Sequence, residues 1–241
     1  MEEIFTIFLY TLGAGLCIPL GGLFASIERI RPNWLENELR HFIIAFGGGV
    51  LLAAVAFVLA PEGNRYLDGG PLIDVSILLA GGISFFLLER LLGTRKREKP
   101  QFSAMLLDYL PESLALGGAF ALGAKSAPLL AVFIGLQNLP EGFNAYRELL
   151  ATPNASKKRT LIGMFLLTPL GPAFAFAGWI WLSNHPAIIG AVMIYASGGI
   201  LYLIFQDIAP QSHMRRHWAP PLGAVFGFAL GMLGTNYTTG F

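Results

Sequence analysis

The chain reads as an all-α, polytopic membrane protein: one transmembrane domain spanning residues 1–241, built from eight helices. Three observations predict this class. Only 13% of the 241 residues are charged and 54% are hydrophobic, whereas soluble domains carry about 25% charge. Eight apolar runs reach the roughly 20 residues that a helix needs to cross a bilayer. Basic residues, finally, crowd onto alternate connections between those runs. The mean hydropathy of +0.60 agrees with all three.

The runs cover residues 4–27, 41–61, 71–92, 102–124, 127–149, 160–183, 186–209 and 219–239. The first follows an acidic start, Met1-Glu2-Glu3, and continues past signal-peptide length, so it is expected to remain as a helix. It holds Cys17, the single cysteine, which excludes a disulfide framework or a thiolate cluster and is read as a packing residue. The second run ends on Leu59-Ala60-Pro61-Glu62, and the sixth is interrupted by Thr168-Pro169. Every connection is short, which leaves room for one compact bundle and no soluble domain. A net charge of +1 carries nothing resembling a nucleic-acid binder's basic surface.

Positive charge sets the expected orientation. The connections after runs one, three, five and seven hold 14 of the 16 basic residues, among them Arg29, Arg31, Arg95, Lys96, Lys157, Arg159, Arg215 and Arg216. The opposite side holds only Arg65 and Lys125. Both termini are therefore expected outside the cytoplasm, and their lying on one side agrees with an even number of spans. The membrane is expected to be the plasma membrane, or the inner membrane of a bacterium.

An internal echo joins runs two and seven. Gly48-Gly49-Val50-Leu51-Leu52 leading to Ala60-Pro61-Glu62 matches Ser197-Gly198-Gly199-Ile200-Leu201 leading to Ala209-Pro210-Gln211, at a constant offset of 149. The two runs enter the bilayer from opposite sides, the pattern of an inverted repeat with a midplane site. Small-residue pairs that merely let helices approach closely would produce the glycines as well.

Runs four and five carry the chemistry. Asp108-Tyr109-Leu110-Pro111-Glu112-Ser113 is followed 29 positions on by Gln137-Asn138-Leu139-Pro140-Glu141-Gly142. An ionisable side chain in a bilayer core costs ~2.5–3.5 kcal/mol on insertion scales, so such residues point to function. In each copy the polar residue and the glutamate stand four apart, on one helical face. Each proline removes a backbone donor and leaves the carbonyl of Leu107 or Leu136 uncapped. At 1.5 Å per residue Asp108 lies about 9 Å, and Glu112 about 15 Å, from the cytoplasmic edge of the hydrocarbon. Run five descends from the other side, which sets Gln137 near Glu112 and Glu141 near Asp108. The arrangement fits one cation shared by two antiparallel helices; a kinked pair with protonated, hydrogen-bonded acids is the plainer alternative.

The two hexapeptides resemble the signature of the ZIP (Zrt/Irt-like) metal transporters, whose fourth and fifth helices carry His-Asn-x-Pro-Glu-Gly or a close variant. The likeness covers the chain in topology and is specific in runs four and five, with weaker support from the Pro61-Glu62 pair. It implies a ZIP-like bundle and transport of a divalent cation of the zinc, iron or manganese class as substrate. It implies no organic cofactor and no catalytic residue, and it allows a homodimer. Helices one, four, five and six would move against a scaffold of two, three, seven and eight. Glu112 and Glu141 match the pattern; Asp108 and Tyr109 stand where the family has histidine and asparagine, and Thr168 where many members have glutamate. Tyr109 and Thr168 argue against a second ion position. The expected ligands are Asp108, Glu112, Gln137 and Glu141, with Asn138 or a freed carbonyl assisting. An all-oxygen set leans from zinc towards Mn²⁺ or Fe²⁺, and one carboxylate carrying a proton when the ion leaves would couple transport to pH.

Asn144, three residues after Glu141, is a pathway candidate, as are Asp207, His213 and His217 near the end of run seven; the histidines also fit a solvated helix end. Two rival functions remain open: a carrier of protons or a monovalent cation, and a transport-inactive sensor or scaffold. An intramembrane hydrolase using Asp108 lacks a second motif such as His-Glu-x-x-His.

Overall fold

The computed structural model describes residues 2–27, 33–93, 100–212 and 218–239. Among these every regular element is helical, and there is no strand. The helices are α1 (Glu2–Ile27), α2 (Asn33–Ala54), α3 (Ala60–Leu67), α4 (Pro71–Gly93), α5 (Pro100–Ala121), α6 (Ala127–Leu150), α7 (Lys157–Leu167), α8 (Leu170–Leu182), α9 (Pro186–Leu203), α10 (Ala209–Ser212) and α11 (Pro220–Thr239). Two π-helical turns, Val55–Leu59 and Ile204–Ile208, fuse α2 to α3 and α9 to α10. The described residues thus form eight rods, with α7 and α8 separated only by Thr168 and Pro169.

Five rods are long and apolar enough to cross a membrane: Glu3–Ile27, Glu38–Leu67, Pro71–Leu91, Lys157–Leu182 and Pro186–Ser212. The protein is accordingly a multi-pass membrane protein. The fourth and fifth expected runs fall outside this set because their amides and carboxylates, Asp108, Glu112, Gln137, Asn138 and Glu141, dilute an otherwise apolar sequence. The last run is diluted by Pro220 and Pro221 at its start and by Thr235, Asn236, Tyr237 and Thr238 at its end.

Three expected elements differ in detail. The second rod runs on past 61 to Leu67, because the π turn before Ala60-Pro61 absorbs the proline's missing donor without ending the helix. The seventh likewise runs past 209 to Ser212. The sixth breaks at Thr168-Pro169. Pro111 and Pro140, in contrast, lie within unbroken helices.

The π turns stand 149 residues apart, at the offset of the sequence echo. A Cβ on Gly63, late in the second rod, would meet Ile194 and the Gly190 carbonyl, early in the seventh; one on Gly48 would meet Ile208, late in the seventh. The two matching rods therefore run antiparallel.

Glycines fix how the rods are grouped. A Cβ on Gly21 or Gly142 would strike backbone of α6 or α1, on Gly117 or Gly178 backbone of α8 or α5, on Gly81 or Gly198 backbone of α9 or α4, and on Gly49, Gly223 or Gly227 backbone of α11 or α2. Helices in such contact cannot slide without a backbone collision. These seams bind α1 to α6 and α5 to α8 on one side, and α2 to α11 and α4 to α9 on the other. Between the two groups, where α2 meets α6 and α5 meets α9, glycines face side chains instead: Gly47 faces Pro140 and Gly118 faces Ile189.

Candidate metal centre

α5 and α6 are joined by a tight turn that sets their register. Gly123, with φ of +64°, ends α5 in a Schellman motif in which the Ala124 amide donates to the Ala119 carbonyl and the Gly123 amide to Phe120, both at 2.9 Å. The chain then reverses, and α6 runs back along α5 so that Gln137 comes level with Glu112 and Glu141 with Asp108. The side-chain nitrogen of Gln137 donates to Asp108 Oδ2 at 3.2 Å and to Glu112 Oε2 at 2.5 Å. Asp108, Glu112 and Gln137 are all buried, so the expected pairing of the two hexapeptides is present. Glu141 does not join this hydrogen-bonded trio. It lies half-buried and lines a cavity together with Asp108.

That cavity, of about 60 Å³, opens from the site towards the end of the molecule where α2 and α5 begin. Its polar lining is Asp108, Glu141 and Asn144 from one helix group and Asp207 and Gln211 from the other. Ile44, Leu51, Met105, Ile200, Leu203 and Ile208 supply the apolar walls. Asn144 and Asp207, expected as pathway residues, thus share one space with the site. The second π turn contains Asp207, and π turns often mark functional positions because they re-aim the residues that follow. His213 and His217 lie outside the described residues.

Five side-chain oxygens around these groups are buried without a hydrogen-bond partner: Glu112 Oε1, Gln137 Oε1, Asn138 Oδ1, Glu141 Oε2 and Asn144 Oδ1. Buried acceptors are ordinarily paired, because leaving one unpaired costs about 1–3 kcal/mol. Of these five, Glu141 Oε2 and Asn144 Oδ1 belong to residues that line the cavity, where a cation could meet them. Among the described residues, however, no three His, Cys, Asp or Glu side chains form a group that could hold a metal ion. Gln137 places its NH₂ group between Asp108 and Glu112, where a cation shared by those carboxylates would be. Carboxylates alone therefore do not form the site in this arrangement, and amide oxygens of Gln137, Asn138 or Asn144 would have to complete it.

Asn138 is tied to α1 by a hydrogen bond from Nδ2 to the Ala14 carbonyl at 2.9 Å. This orients the amide and leaves its oxygen as the free end. Tyr109 fills the region beside it, its hydroxyl 3.5 Å from the Thr168 carbonyl and packed into the space left by the absent side chains of Gly15 and Gly171. Tyr109 and Thr168, two of the three residues that depart from the resembled motif, are thus neighbours, and the phenol occupies the space between α1, α5 and α8.

Two residues that the sequence had not marked emerge from the geometry. Gln211 lines the cavity, and its position was visible as the counterpart of Glu62 in the repeat. Ser126 donates to Glu62 Oε1 at 2.8 Å, and nothing in its local sequence signals that contact.

Comparison of the chain with protein-family models and with curated proteins returns no match.

Proposed function

We propose that this protein carries a divalent metal cation across a membrane, taking it at Asp108, Glu112, Gln137 and Glu141 with Asn138 assisting, and passing it through the cavity beside Asn144 and Asp207. The observation that carries this reading is the set of five buried, unpartnered oxygens gathered on α5 and α6. A dehydrated cation would pair those of the oxygens that turn to meet it, and oxygen ligands suit Mn²⁺ or Fe²⁺ over a tight zinc preference. With the basic connections in the cytoplasm, all eight rods span the membrane, both termini lie outside and the cavity opens inward. Such a protein resides in the plasma membrane, or in a bacterial inner membrane, and a homodimer is compatible with its exposed apolar faces. No organic cofactor and no catalytic step are involved.

The glycine seams bear on mechanism. The site belongs wholly to the group of α1, α5, α6 and α8, each pair locked by backbone contact. The other group supplies Asp207 and Gln211 from across a side-chain interface. Rocking or sliding of the first group against the second would expose the site to each side in turn. This resembles the motion expected of ZIP transporters.

Purified protein in sealed vesicles tests the proposal. Uptake of Mn²⁺, Fe²⁺ or Zn²⁺ above protein-free vesicles is expected, falling to background in Glu112→Gln and in Glu141→Gln. Folded wild-type protein that moves none of these ions would overturn it. A proton carrier is the second reading, favoured by the amide bridge that holds Asp108 and Glu112 without a metal; it predicts acidification of the vesicle lumen with no metal present.

A further inference from the structure

Each π turn delivers a polar residue to the seam between the helix groups, and the two residues lie at opposite ends of the molecule. The first turn is followed by Pro61-Glu62 and the second by Pro210-Gln211, at the common offset of 149. Glu62 is hydrogen-bonded across the seam to Ser126 at 2.8 Å, and Arg65 lies 3.7 Å from its second oxygen. Ser126 occupies the N-cap of α6, yet its side chain makes no capping bond to its own helix. That hydroxyl is committed to the other group instead. Gln211 has a different relation to α6: it lines the cavity opposite Asn144, which is 8% exposed and has an unpartnered oxygen.

The material between these ends matches the contrast. Between Glu62 and the site, Leu59, Leu116, Leu130, Phe133, Ile189 and Met193 are each no more than 1% exposed. Beyond the site at the other end lies the cavity. One end is therefore packed and bonded, and the other is parted.

We propose that Glu62–Ser126 and Asn144–Gln211 are a pair of alternating gates placed by the inverted repeat. The first is closed in this structure and the second is open; in the opposite-facing state Gln211 closes on Asn144 while Glu62 parts from Ser126. This rests on the two-group motion proposed above. It adds which residues hold each end shut. A hydroxyl–carboxylate bond suits the task, because water replaces it when the mouth opens. The rigid mounting of Glu62, through the backbone contact of Gly63 with Gly190, makes the bond report the position of the whole second group.

Paired cysteines in a Cys17→Ser background provide the test. Glu62→Cys with Ser126→Cys, joined by a short bifunctional thiol reagent in vesicles, is expected to link in most molecules and to stop metal uptake until reduced. Asn144→Cys with Gln211→Cys is expected to link several-fold more slowly, and never in a molecule already linked at 62–126. Both links forming in one molecule, or unchanged uptake with the 62–126 link in place, would overturn the gates. Mutual exclusion is read by mass and needs no transport, so a protein that moves no metal leaves this result intact. Should the paired variants fold poorly, Ser126→Ala with Leu116→Cys serves. A membrane-impermeant thiol reagent added on the α5–α6 turn side should label it several-fold faster than Leu116→Cys alone, and an equal rate would refute the latch.

Discussion

Gln137 and Glu112 meet at 2.5 Å, nitrogen to oxygen, where two helices cross in the buried centre of the bundle. The same nitrogen also holds Asp108. A neutral amide thus bridges the two acids by hydrogen bonds, and in the cation-loaded protein its oxygen would have to turn towards the ion.

Replacing Gln137 by Leu keeps the bulk and removes the donor. Asp108 and Glu112 would each lose a buried partner, at a cost of about 1–3 kcal/mol apiece. The expected outcome is a lower unfolding temperature in detergent than wild type. An unchanged midpoint would show that the bridge contributes nothing to the resting structure.

The hydroxyl of Tyr109 lies where a Cβ on Gly15 would fall. Gly15→Ala should therefore destabilise by overpacking, about 1–3 kcal/mol, and Tyr109→Phe should recover part of that loss. Tyr109→Phe alone is expected to be mild, because its hydroxyl bond is long at 3.5 Å. The double-mutant cycle measures the coupling; strict additivity would refute the contact.

Gly142 and Gly13 separate packing from propensity. A Cβ at Gly142 would strike the Ile18 backbone, whereas nothing lies within 4 Å of one at Gly13. Gly142→Ala is expected to lower thermal stability and disrupt the α1–α6 seam. Gly13→Ala is expected to be neutral or to stabilise slightly, by up to about 1 kcal/mol. Equal effects at both sites would remove the argument for locked helix groups.

Orientation is checked at the C-terminal helix. Tyr237 is 88% exposed, and Tyr237→Cys in a Cys17→Ser background should react with an impermeant thiol reagent on intact cells. Labelling only after permeabilisation would invert the topology and place the cavity outside.

Much of this protein was legible in its sequence, for reasons of solvent. Apolar runs of bilayer length, few charges and a one-sided distribution of Lys and Arg determine a multi-pass helical class before any contact is known. The repeated hexapeptides marked Asp108, Glu112, Gln137 and Glu141, because ionisable groups inside apolar helices are too costly to be incidental. The offset of 149 carried the inverted pair of rods, and Pro61 and Pro210 their interruptions. Tertiary structure decided the rest. It placed the Gln137 nitrogen between two acids and left Glu141 to the cavity, because side-chain partners are chosen by packing across helices and not by spacing along one. It paired Ser126 with Glu62 across a separation of 64 positions, a contact to which local sequence is blind. It also sorted the glycines, since a glycine against a neighbouring backbone and a glycine against a movable side chain look alike until the helices are packed.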